Sequence, residues 1–247
     1  MTSRIKRIGM LTPSSNTVLE PVTTAMIQDV KDEVTVHFSR FKVTEISLKS
    51  NALLQFDFEP MLEAAQLLAD ADVDVIAWNG TSAGWLGVEA DVQLCQKITQ
   101  KTGIPATTSV LALLEAFQLY GVERYGLVTP YTADVNEKII QTFNVSELTC
   151  IMERHCGISV NKLFSGIGGE HIREMAREVA LPDVQAITTF CTNLKAAPYI
   201  DELEREHGIP IFDTISVVVW KSLRMAGINP AKINGWGRLF GDTHLYD

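Results

Sequence analysis

The sequence predicts an α/β protein of two pseudo-symmetric lobes made by internal duplication, each a parallel sheet flanked by helices, with a site in the inter-lobe cleft. Two observations predict it. The first is a repeat, sought before any local structure. Arg7-Ile-Gly-Met-Leu-Thr-Pro13 returns as Arg124-Tyr-Gly-Leu-Val-Thr-Pro130. Asp72-Val-Asp-Val-Ile-Ala-Trp-Asn-Gly80 returns as Asp183-Val-Gln-Ala-Ile-Thr-Thr-Phe-Cys191, and Gly103-Ile-Pro105 as Gly208-Ile-Pro210. The landmarks keep their order, so the lobes are expected at residues 1–117 and 118–247. The second observation is that short apolar, β-branched runs alternate with helical periodicity in both halves. That alternation implies parallel sheets covered by helices.

Strands are expected at Ile5–Leu11, Val34–Arg40, Val73–Trp78 and Ile104–Thr108. Their counterparts are Tyr125–Thr129, Leu148–Met152, Val184–Phe190 and Ile209–Phe212. Most are unbroken apolar runs, as strands buried on both faces require. Helical spacing covers Thr17–Val30, Glu59–Ala69, Glu89–Lys101 and Val110–Tyr120. It recurs at Ala133–Phe143, Gly169–Val179, Pro198–Glu206 and Ser216–Met225.

Composition narrows the function classes. A formal net charge of -9 over 247 residues disfavours a nucleic-acid partner, which needs a basic face. It also disfavours an anionic membrane surface. No apolar run reaches the roughly 20 residues that span a bilayer. The basic N-terminus has too short an apolar stretch for a signal peptide, so a cytoplasmic location is expected. Cys95, Cys150, Cys156 and Cys191 form no CxxC pair and no Cys/His metal pattern, and are expected as free thiols with no metal site.

Parallel α/β sheets bind ligands beyond the carboxyl ends of their strands. Four segments fall there: Thr12–Asn16, Asn79–Ser82, Thr129–Thr132 and Cys191–Asn193. Cys191 follows an apolar strand and lies near free backbone N–H groups, whose dipoles lower a thiol pKa and stabilise anions. The competing reading is an inert buried cysteine. Gly80, Thr81 and Ser82 occupy the matching place in the first half, where two hydroxyls suit a carboxylate or enediolate oxygen or cap the next helix. Pro13, Ser14 and Asn16 precede a helix and include an N-cap. Tyr131 is the duplicate counterpart of Ser14; it either donates into the cleft or sits on an exposed loop. Arg40 could bind a carboxylate bidentately or form a surface ion pair.

Taken in order, Pro13-Ser-Ser-Asn16, Asn79-Gly-Thr-Ser82, Val128-Thr-Pro-Tyr131, Cys191-Thr-Asn193 and Gly235-Trp-Gly-Arg-Leu-Phe240 resemble one family. It is the maleate cis-trans isomerase and arylmalonate decarboxylase branch of the aspartate/glutamate racemase superfamily. The resemblance covers nearly the whole chain. It implies a site between the lobes, a small carboxylic-acid substrate and no cofactor. It also implies that a C-terminal segment, about 218–247, packs back onto the first lobe. Racemases and maleate isomerases of this kind carry one cysteine from each lobe. Here the second-lobe position is Cys191, whereas the first-lobe position is Gly80, which is the arylmalonate decarboxylase pattern.

By that resemblance Thr81, Ser82, Tyr131 and the region of Thr192 hold one carboxylate, the other leaves as CO2, and Cys191 protonates the α-carbon. Asn16 and Asn161 match carboxylate-contacting positions of maleate isomerases and support isomerisation or racemisation instead. Val43 and Phe164 match apolar pocket positions, and Arg40 lies close to them. A non-catalytic small-acid binding protein is a third alternative. The fold class is compatible with a homo-oligomer, although no motif specifies one.

Overall fold

The computed structural model describes residues 4–243. The ends of the expected lobes and of the 218–247 segment, residues 1–3 and 244–247, lie outside the described residues. The first sheet contains β1 (Lys6–Pro13), β2 (Val34–Phe41), β3 (Val75–Trp78) and β4 (Ala106–Thr108). Its helices are α1 (Leu19–Met26), α2 (Ser50–Leu53), α3 (Phe58–Ala69), α4 (Ala83–Leu86), α5 (Val88–Thr102) and α6 (Ser109–Leu119). The second sheet contains β5 (Arg124–Thr129), β6 (Thr149–His155), β7 (Ala186–Thr189) and β8 (Ile211–Asp213). Its helices are α7 (Ala133–Asn144), α8 (Gly169–Val179), α9 (Ile200–His207) and α10 (Thr214–Met225), and α11 (Arg238–Gly241) follows.

All strands pair in parallel, in the orders β2-β1-β3-β4 and β6-β5-β7-β8. The two sheets therefore share one topology, as the repeat predicts. Every residue of β3 and β7 is buried, because helices cover both faces of these inner strands.

The repeated motifs have local physical causes. A Cβ on Gly9 of β1 would lie 3.0 Å from Leu68 Cδ1 of α3, and one on Gly126 of β5 would lie 3.1 Å from Val179 of α8. Glycine at these positions lets each helix close onto the strand beneath it. Gly103 and Gly208 take left-handed φ values of 74° and 73°, ending α5 and α9 where a side chain would be strained. Thr108 and Asp213 hold equivalent places as the last residues of β4 and β8. Each caps the following helix, Thr108 through Leu111 N–H and Asp213 through Ile215 and Ser216 N–H.

The expected helix 17–30 ends at Met26 and continues as a single 3₁₀ turn, Ile27–Val30. The short helices α2 and α4, and the 3₁₀ turns Leu54–Phe56 and Asn161–Gly166, were not predicted. Segments of three to six residues carry too little periodicity to register. Helix α10 packs on α6, α1, β3 and β4, so the end of the second repeat covers the first sheet. Beyond it the chain touches both lobes. Lys232 pairs with Glu33 at 2.7 Å, Asn234 N–H donates to Asp29, and Arg238 N–H donates to Glu204 at 2.6 Å. Among the described residues, no helix is long and apolar enough to cross a membrane.

Candidate active site

The carboxyl ends of the two sheets meet through buried hydrogen bonds. Asn16 follows β1, and its Oδ1 accepts from the N–H groups of Val18 and Leu19 at 2.9 Å, which caps α1. Its Nδ2 crosses the cleft to Thr192 Oγ1 at 3.1 Å, and Thr192 donates onward to the Asn79 carbonyl at 3.0 Å. Thr17 N–H donates to Asn193 Oδ1 at 3.0 Å. Asn161 Nδ2 reaches Ser15 Oγ at 2.8 Å, and Asn161 N–H donates to the Thr44 carbonyl. Each half therefore fixes the other's strand-end loop.

Inside this frame is a cavity of about 20 Å³, lined by Pro13, Val43, Ile46, Phe56, Trp78, Gly80, Thr81, Ser82, Trp85, Tyr131, Asn161, Cys191 and Thr192. That volume holds roughly one water, so binding an organic acid requires its walls to part. The lining contains no Lys, Arg, His, Asp or Glu among the described residues. Neutral donors must therefore hold any anion placed there. Thr81 Oγ1 and Tyr131 Oη lie 2.6 Å apart, one hydroxyl from each lobe. Burial pushes the Tyr131 phenol well above its ordinary pKa, and the adjacent Cys191 adds to the shift. Tyr131 thus remains a protonated donor. The Trp85 indole N–H is buried without a hydrogen-bond partner.

Cys191 corrects one expectation. Its amide surroundings were expected to lower the thiol pKa, but burial dominates and pushes it up to about 12. The Tyr131 hydroxyl and the amides of Asn193 and Leu194 only offset part of that rise. Asn193 N–H lies 3.4 Å from the sulfur. Within the enclosed site the thiol is an S–H group at neutral pH.

Gly80 lines the same cavity, and the space a side chain would need there is already filled. A Cβ there would lie 2.0 Å from Cζ2 of Trp78 and 2.5 Å from its Cε2. The indole is held by Phe41, with ring centroids 5.0 Å apart, and its N–H donates to Ser82 Oγ at 3.4 Å. The remaining cysteines, Cys95, Cys150 and Cys156, do not line the cavity.

Four expected site residues stand outside the lining. Ser14 exchanges hydrogen bonds with the backbone of Val43. Asn16 is consumed by its cap and by Thr192. Phe164 lies behind Tyr131, edge-to-face at 5.4 Å. Arg40 turns away to Glu20 at 2.7 Å and donates to the carbonyls of Ser14 and Asn16, so it braces the loop. Sequence reasoning missed Trp78, Trp85, Phe56 and Ile46. Trp78 was available as the strand residue two before Gly80, but only its bulk in three dimensions reveals what it does. No cluster of three or more His, Cys, Asp or Glu side chains is set to hold a metal among the described residues.

A family model described as arylmalonate decarboxylase matches residues 19–240. The chain belongs to the arylmalonate decarboxylase family. This family, within the aspartate/glutamate racemase superfamily, also takes in the maleate isomerases. The maleate isomerase of Nocardia farcinica is 28% identical over 245 residues, 95% of each protein. The arylmalonate decarboxylase of Bordetella bronchiseptica is 27% identical over 188 residues, 75% of this chain and 78% of that one. The family fold is equally clear. A cysteine-to-serine variant of N. farcinica maleate cis-trans isomerase, with a covalently bound succinylcysteine intermediate, superposes with a TM-score of 0.89 at 24% identity. It covers 96% of this chain and 99% of that one. Unliganded arylmalonate decarboxylase superposes at 0.79 and 24% identity, covering 96% and 99%.

Proposed function

We propose that this protein is a cofactor-independent decarboxylase of a substituted malonate-like acid, with Cys191 as proton donor. The observation that carries the reading is the site's asymmetry: one buried, protonated thiol shares the cavity with a glycine whose side-chain space is filled by Trp78. In this reading Thr81, Ser82 and Tyr131 hold one carboxylate, with Asn161 and Thr192 beside it. The other carboxylate rests against apolar walls that include Val43 and Ile46. Expelling water there disfavours the charged leaving group relative to CO2. As the C–C bond breaks, its electron pair passes into an enediolate, and the hydroxyl donors stabilise the developing charge. Cys191 S–H then delivers its proton to the α-carbon from one face, and water restores the thiol.

The test is turnover of 2-methyl-2-phenylmalonate in D2O, followed by NMR without added metal or cofactor. The reading expects CO2 release, one deuteron at the α-carbon and a single enantiomer. Absence of CO2 release from any disubstituted malonate refutes it.

A second reading, cis-trans isomerisation of a maleate-like diacid, is favoured by whole-chain likeness. The maleate isomerase alignment spans 95% of the chain, against 75% for the decarboxylase. In the variant named above, the adduct is on a cysteine other than the one replaced. Here, among the described residues, Cys191 is the one cysteine that lines the cavity, so the same sulfur would have to add to the double bond and leave after rotation. Conversion of maleate to fumarate, with no CO2 release from malonates, would establish this reading over the first.

A further inference from the structure

The Tyr131 hydroxyl meets Thr81 across the cleft, and the main chain beneath it is tied to a polar line that runs out to the surface. Tyr131 N–H donates to Thr129 Oγ1 at 3.3 Å, and that hydroxyl donates to Asn136 Oδ1 at 2.8 Å. Asn136, in the first turn of α7, donates through Nδ2 to Glu153 Oε2 at 2.5 Å. The same Oε2 lies 2.9 Å from Nδ1 of His155, and both of these β6 side chains are partly exposed. Thr129 and Asn136 themselves are fully buried. One amide orientation satisfies the line, because a carboxylate only accepts and so takes the NH2 end of Asn136. Gly157 N–H and Ile158 N–H add bonds to the carbonyls of Tyr131 and Pro130, at 2.9 and 3.0 Å.

The repeat supplies a control within the chain. Thr12 is the counterpart of Thr129 and equally buried, yet its hydroxyl turns to the Met10 carbonyl of its own strand, at 3.5 Å. Strand register places Phe38 of β2 where β6 has Glu153, opposite the paired positions Met10 and Leu127. Phe38 packs against the core instead of extending a polar line. The first-lobe loop carries Ser14, outside the cavity lining, whereas the second-lobe loop carries Tyr131, which lines it. Buried polar groups are costly unless every member is paired. The line stands in the lobe whose loop places a hydroxyl in the site.

We infer that Thr129 and Asn136 are positioning residues for Tyr131, fixing the point at which its hydroxyl meets a bound carboxylate. The inference rests on the proposed placement of that carboxylate on Thr81, Ser82 and Tyr131. Trp85 and Phe164 hold the Tyr131 ring edge-to-face, with centroids 5.6 and 5.4 Å away, so the hydroxyl shifts when the main chain beneath it shifts.

The test measures affinity for 2-phenylpropionate by NMR titration, with thermal denaturation of the same samples. Tyr131→Phe should weaken binding about tenfold or more, as expected for a lost hydrogen bond to a charged group. Asn136→Leu and Thr129→Val should each weaken it at least about fivefold, because a small displacement of a positioned group is costly. Thr129→Ser keeps the hydroxyl and should stay within about twofold of native. In the Tyr131→Phe background neither Asn136→Leu nor Thr129→Val should weaken binding further, since both act through the lost hydroxyl. Should Asn136→Leu not fold, Asn136→Asp tests the same bond by setting two carboxylates against each other. Adding Glu153→Gln to it restores a donor at that contact and should restore affinity. Losses of equal size in the native and Tyr131→Phe backgrounds, or no loss in the native one, overturn the inference while leaving the carboxylate site standing. Native affinity in Tyr131→Phe, or no binding by the native chain, sinks the proposed carboxylate site and this inference with it.

Discussion

Replacing Gly80 by cysteine restores on paper the two-thiol pattern of the racemases and isomerases, yet it should damage this protein. The new Cβ would lie 2.0 Å from Trp78 Cζ2, so the ring has to move by roughly 1.5 Å to reach a relaxed carbon–carbon contact of about 3.5 Å. It has little freedom to do so, being 1% exposed, packed on Phe41 and bonded to Ser82. Overpacking of this kind costs about 1–3 kcal/mol. For a chain of this size that corresponds to a fall in Tm of roughly 2–12 °C. The assay is thermal denaturation of a double-mutant cycle with Trp78→Leu. Trp78→Leu alone loses packing, but on that background Gly80→Cys should cost less than about 0.5 kcal/mol. The double variant should also exchange the α-proton of 2-phenylpropionate in D2O, since a thiol then faces each side of the carbon. If Gly80→Cys carries the same penalty in both backgrounds, or none in the native one, the steric argument is wrong.

Cys191→Ala should eliminate CO2 release while leaving the Tm within about 3 °C of native, measured by NMR turnover and denaturation. The pH profile separates proton donor from nucleophile. With the thiol pKa near 12, a step that needs S–H stays level from neutral pH until the alkaline range, whereas one that needs thiolate rises about tenfold per pH unit. Asn16→Ala removes a helix cap worth about 1 kcal/mol and a buried bond to Thr192 worth about 1 kcal/mol, so urea denaturation should show a loss of roughly 2 kcal/mol. Asp91 has a folded-state pKa of about 7 against 3.8, so the folded chain holds its proton more tightly between those values. Its contribution to stability is complete below pH 3.8 and is lost as pH rises through about 7. Asp91→Asn should therefore gain Tm relative to the native protein on going from pH 5 to pH 8.

Much of the architecture was legible because duplication writes the same physics twice. Gly9 and Gly126 answer the same helix-to-strand approach, and Gly103 and Gly208 end the same helix. The strand-end rule brought Pro13, Gly80, Thr81, Ser82, Tyr131 and Thr192 to one cavity. Where the rule failed, the missing information was three-dimensional. Arg40 looks like a carboxylate ligand until Glu20, at the start of α1, lies 2.7 Å from it. Phe56 sits on a three-residue 3₁₀ turn with no periodic signal, and Trp78 is indistinguishable in sequence from any other buried strand residue.

The thiol shows why local rules mislead at such a site. Amides beside a sulfur lower its pKa, but at 2% exposure the desolvation of a Cys191 thiolate outweighs them. Among the described residues the cavity lining also has no fixed positive charge, so an incoming anion must be held by hydroxyls and amides. Those two consequences belong together. A thiolate beside a bound carboxylate would place two negative charges in one low-dielectric space, which Coulomb repulsion opposes. A neutral thiol avoids that repulsion, and in the proposed decarboxylase reading it yields its proton when negative charge appears on carbon. Among the described residues the lining holds one thiol and no cation, and this is the physical ground on which the proposed protonation of a carbanion is set against nucleophilic attack.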